Sequence, residues 1–203
     1  MTRPWVPFHG QWEAHERIAE ILSGALRAED DPCWAESGAT DRAEYARWAE
    51  HLCGVACLRM ALGARRLPVP RAMDLARELT RRGGYVEEPD GRIRGLIYAP
   101  AVAWLHEAHG IRAEVVTDTP AARIPAMIAG GAMYVASVHP AIRRPETTPP
   151  ARGGHLVLVF HVADGLLHFH NPSGDTQRAQ IGGRLTPEDF DCFHAGRGIL
   201  IHP

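Results

Sequence analysis

Four cysteines and twelve histidines are the side chains of this 203-residue chain best suited to nucleophilic or metal chemistry. One of them, Cys53, stands where a helix is expected to begin. In WAEHLCGVACLRMAL, residues 48–62, the cysteine is followed by glycine and then by apolar residues at helical spacing. A thiol placed there faces the positive end of the helix dipole and unpaired backbone N–H groups, which lower its pKa and stabilise an oxyanion nearby. Cys53 is therefore the expected nucleophile. Cys57, one turn further along, reads as core, and Cys33 and Cys192, in loop-like segments, read as structural or incidental. No pair is arranged as CxxC, so all four are expected as free thiols.

A thiol nucleophile needs a base, and the base needs a partner that fixes its tautomer. His155 opens the apolar stretch HLVLVFHV directly after Gly153 and Gly154, which leave room for substrate backbone at a sheet edge. Asn171, just before Pro172, ends the next strand and can accept the His155 ring N–H. Register decides whether they meet. A two-residue turn at Asp164 and Gly165 puts Asn171 opposite Leu158, on the wrong face. A three-residue turn at 163–165 puts it opposite Val157, on the His155 face, so the pairing requires a bulged hairpin.

The elements that position these residues divide into two halves. Helices are expected over residues 16–27, 42–50, 53–62, after Pro70 to Gly83, 98–109 and 121–129, and strands over 112–116, 132–138, 155–162, 166–170 and 197–202. Residues 85–97 read as a polar link. This is the pattern of an α+β domain whose N-terminal helical part, with the Cys53 helix, packs on a C-terminal antiparallel sheet, with the site between them. One domain over 1–203 is expected, with residues 1–40 as an arm and first helix and the Pro-rich loop 139–154 over the cleft. His139, Arg143, Arg144 and Arg152 give that loop cations close to His155 for a substrate carboxylate or phosphate.

Composition narrows the partners. A formal net charge of −2 and a pI near 6.6 give no electrostatic case for nucleic acid or an anionic membrane. No run reaches membrane-span length and the N-terminus has no signal-type apolar core, so a cytoplasmic protein is expected. His106 with His109, and His168 with His170, share faces, yet no carboxylate or cysteine completes either pair at a ligand spacing. Neither a metal nor a cofactor is called for, and the expected partner is a peptide or amide.

Cys-Gly at a helix start, a later Gly-Gly-His strand and then Asn-Pro resemble the C39-like branch of the papain-type cysteine peptidases. CGVACLRM is close to the CGxACLxM form of that family, GGHLVLV is similar to its histidine strand and HNPSG to the segment carrying its Asp or Asn. The resemblance implies a papain-like fold, a Cys53, His155 and Asn171 triad, and cleavage of a peptide or amide bond through a thioester. The same triad serves an acyltransferase, and the same fold serves a non-catalytic peptide-binding module. The family carries Gln six residues before the nucleophile as an oxyanion donor; here Arg47 holds that place, as a candidate donor to the oxyanion or as a solvated helix residue.

Overall fold

The computed structural model describes residues 4–203, so residues 1–3 of the expected arm lie outside it. The helices, in chain order, are α1 (Ile18–Ser23), α2 (Arg42–Ala49), α3 (Cys53–Ala64), α4 (Ala72–Arg81), α5 (Tyr98–His109), α6 (Ile124–Met127), α7 (Gln177–Gln180) and α8 (Pro187–Asp191). The strands are β1 (Val86–Glu87), β2 (Ile93–Arg94), β3 (Ala113–Val116), β4 (Met133–Val138), β5 (His155–Ala163), β6 (Leu166–His170), β7 (Gly183–Leu185) and β8 (His194–Ile201). A fully antiparallel six-stranded sheet runs β3-β8-β4-β5-β6-β7, and β1 with β2 form a small hairpin.

Local chemistry sets most boundaries. Gly24, left-handed at φ 78°, ends the first helix before the expected residue 27. Asp41 caps α2 by accepting from the Glu44 N–H. The polar link contains the β1–β2 hairpin, and α7, β7 and α8 add structure after Asn171 where none is expected.

Helix α3 is buried on almost every side, as its nearly unbroken apolar sequence requires. It packs with α4 and α5 on one face of the sheet, against Val135, Leu156, Leu158 and Ile199. The strands alternate, so Tyr134, Val157, Val159 and Phe169 face the other way, into a second core with Ile124, Phe190 and Phe193. Both faces are thus covered. A Cβ on Gly54 would lie 2.7 Å from Leu96 Cβ and 3.1 Å from Leu156 Cδ1. The residue after Cys53 is glycine because the start of α3 lies that close to β5 and to Leu96.

The β5–β6 hairpin corrects one expectation. Ala163 pairs with Leu166, so the turn has two residues, Asp164 and Gly165, both at positive φ. The extra residue lies deeper in the strand. Phe160 is inserted between the pairs Val159↔Phe169 and His161↔His168, which sets Leu158 opposite His170. A three-residue turn would have given that same register.

Candidate active site

Cys53 is the first residue of α3, half-buried, with its sulfur facing its own N–H and those of Gly54 and Leu156. Leu156 follows His155, so the thiol lies against the beginning of the histidine strand. Burial pushes the thiol up to about 11, against these N–H groups and the nearby Arg143 guanidinium, which pull it down. The lowered thiol expected from the helix terminus is thereby corrected: loss of water outweighs the dipole.

His155 is 5% exposed, and its Nε2 lies 2.8 Å from Asn171 Oδ1. The chain itself fixes how these groups are oriented. After Asn171 the backbone turns at Pro172, and the Ser173 N–H donates to Asn171 Oδ1 at 3.1 Å, an Asx turn. A backbone N–H is always a donor, so the Asn171 atom facing both Ser173 and His155 is its carbonyl oxygen. Nε2 therefore carries the ring proton, and Nδ1 keeps the lone pair. Burial pushes His155 down to about 4, opposed by the Asn171 hydrogen bond and assisted by Arg143. Both shifts favour the uncharged forms, a thiol and a neutral imidazole.

Ser173 and Arg143 tie the site together. Ser173 Oγ lies 3.0 Å from His155 Nε2 and 3.3 Å from Asn171 Oδ1. Arg143 donates from Nε to the Ser173 carbonyl at 2.6 Å and from Nη2 to its hydroxyl at 2.8 Å. Arg143 ends a 3-10 turn, Pro140–Arg143, that His139 caps by accepting the Ala141 N–H on Nδ1. His139 thus shapes the loop through that nitrogen. Loop 139–154 is further pinned by Arg144 to Asp175 at 2.7 Å and Arg152 to Asp191 at 3.4 Å.

Of the remaining expected residues, Gly153 and Gly154 take positive φ of 86° and 93° just before His155. A Cβ on Gly153 would press on Ala195 and Ser137, while Gly154 opens onto free space. Arg47 is placed elsewhere: its guanidinium pairs with Glu87 on β1, at the surface. The guanidinium whose charge acts on the Cys53 thiol is that of Arg143. Cys57 is buried in the core, as expected, and all four cysteines are free. Ser173 escaped the sequence reading although Asn-Pro-Ser carries an Asx-turn signal. Among the described residues no helix is long and apolar enough to cross a membrane, and no three His, Cys, Asp or Glu side chains gather as a metal site.

The sequence matches no protein-family model, and no curated protein matches it. The fold is similar to that of a crystal structure from Bacillus anthracis described as a candidate C39-like peptidase, with a TM-score of 0.52. The match covers 75% of this chain and 89% of that one at 15% identity, a likeness of fold.

Proposed function

We propose that the protein is a cysteine peptidase or amidase of papain-like architecture, with Cys53 as nucleophile, His155 as general base and acid, and Asn171 as the group that orients the ring. The observation that carries this reading is the hydrogen bond from His155 Nε2 to an Asn171 oxygen whose orientation Ser173 fixes, with the Cys53 sulfur beside the start of the same strand. The fold neighbour described as a candidate C39-like peptidase supports it.

With both groups uncharged at rest, proton transfer accompanies attack. The thiol proton passes to His155 Nδ1 as the sulfur bonds to the substrate carbonyl carbon, and the carbonyl electrons move to oxygen. The N–H groups at the start of α3, with Arg143, stabilise that oxyanion. The imidazolium then protonates the leaving amine, the C–N bond breaks and a thioester remains. Water, losing its proton to His155, hydrolyses the thioester and restores the thiol. Arg143 replaces Arg47 as the cation of this site. An amine in place of water gives an acyltransferase by the same steps. The high thiol and low imidazole favour one further reading, a papain-like module that binds peptides without cleaving them.

Acylation by p-nitrophenyl acetate tests the chemistry without a known substrate. A burst of nitrophenolate equal to the enzyme concentration is expected, with an acetyl thioester on Cys53 found by peptide mass. Cys53→Ala should abolish the burst, and His155→Ala should slow it by about 10²–10⁴. Acetylation that spares Cys53, or a rate indifferent to His155, would leave the binding-module reading.

A further inference from the structure

A cavity beside the site is lined by Arg143 but not by Cys53. It has a volume of about 690 Å³ and lies between loop 139–154 and the α7–β7 segment. Phe169 and Ile181 give it apolar lining, while Arg143, Arg178 and Arg184 bring three guanidinium groups to it against one carboxylate, Glu146. Arg143 belongs to both places, since it also holds Ser173 beside His155.

The charges that line the cavity are largely unpaired. Elsewhere most arginines are matched with a carboxylate, such as Arg17 with Glu20, Arg77 with Glu44 and Arg82 with Glu107. Among the described residues the side chains of Arg178, Arg184 and Glu146 have no ion-pair or hydrogen-bond partner. Arg143 bonds only neutral oxygens of Ser173, and the nearby Asp175 is already engaged by Arg144. A slightly acidic chain thus places uncompensated positive charge around one concave surface with an apolar lining. That combination suits a carboxylate on a short aliphatic stem: guanidinium groups bind its oxygens by charge-assisted hydrogen bonds, and the apolar wall covers the stem.

We infer that this cavity is the specificity subsite of the enzyme proposed above, and that it takes a carboxylate of the peptide substrate, from an acidic side chain or from the free C-terminus. The inference rests on the peptidase reading for its purpose but not for its test. Binding to full-length Cys53→Ala protein, which cannot form a thioester, is measured at low ionic strength with three fluorescent peptides. One carries a central Glu and an amidated end, one a central Gln and a free carboxylate, and one a central Gln and an amidated end. At least one acidic peptide should bind about tenfold more tightly than the neutral one, and which does so identifies the carboxylate recognised. The combined Arg178→Gln and Arg184→Gln change should erase that preference while leaving the thermal midpoint in place, since both side chains are exposed. Equal binding of all three peptides, including no measurable binding of any, overturns the inference, as does a preference that survives the double change. If the acetate burst fails while the acid preference holds, the peptidase reading falls and the subsite stands.

Discussion

Asn171 Oδ1 meets three neighbours, His155 Nε2 and the N–H and hydroxyl of Ser173, and the one that is a backbone N–H decides the protonation of the rest. Because Asn171 is neutral, its hydrogen bond offsets only part of the effect of burial, which keeps the imidazole near 4 and the thiol near 11. Iodoacetamide should therefore alkylate Cys53 at a rate that still climbs about tenfold per pH unit through pH 8, following the thiolate fraction. Asn171→Asp supplies an anion beside Nε2, which favours the imidazolium; a charged ring in turn favours the thiolate, so alkylation at pH 7 should rise. A wild-type profile already flat below pH 7 would show an ion pair at rest and contradict this account. The place of Cys53 at a helix start and the meeting of His155 with Asn171 were legible because residue type and spacing mark a helix start, a strand start and a turn. The role of Arg143 was not, because its link to His155 runs through Ser173, thirty residues away in sequence. The thiol shift was not legible either: the helix terminus is local, whereas the burial that overrides it comes from β5 and the surrounding fold.

At the scale of elements, the start of α3 and the start of β5 must approach closely enough for Leu156 N–H to face the Cys53 sulfur, and Gly54 permits it. Gly54→Ala improves helix propensity but drives a methyl group into Leu96 Cβ, which is backbone-anchored and cannot rotate away. The net cost should be about 1–2 kcal/mol, read as a lower urea midpoint, with a slower acetate burst because α3 is displaced from β5. Unchanged stability and an unchanged burst would show that the contact is not tight. The hairpin teaches a related point. Facing requirements on His155 and Asn171 specified the register, but the sequence has two ways to insert one residue, and the Asp164-Gly165 pair is itself a strong two-residue turn signal. The extra residue therefore fell at Phe160, within the strand. Strands of two or three residues such as β1, β2 and β7 carry too few positions to show alternation, and they form because neighbouring strands offer hydrogen bonds.

Across the whole molecule, the sheet lies between two cores, and that arrangement buries histidines as well as hydrocarbon. His155 lies at 5% exposure, and His194 at 0% with Nε2 3.0 Å from the Tyr134 hydroxyl. Burial holds both near 4, against an ordinary value of 6.5. The arm adds to the enclosure, since Gln11 N–H donates to the Pro172 carbonyl and Gln180 Nε2 donates to the His15 carbonyl around the Asn171 turn. Between pH 6.5 and 4 the unfolded chain takes up protons that the folded chain refuses, so stability must fall with pH across that window and be fully retained above it. Each imidazole accounts for roughly 3 kcal/mol by pH 4, and two of them rival the whole stability of a typical domain. Urea unfolding should thus weaken steeply from pH 6.5 to 4. His194→Gln removes one such titration while keeping a polar group near Tyr134. Its stability should fall less steeply, by close to one proton in the slope, and this difference isolates His194 from the carboxylates that titrate in the same range. Equal slopes in the two proteins would mean that His194 is protonated in the folded state, and that the core around it admits water or a counter-charge.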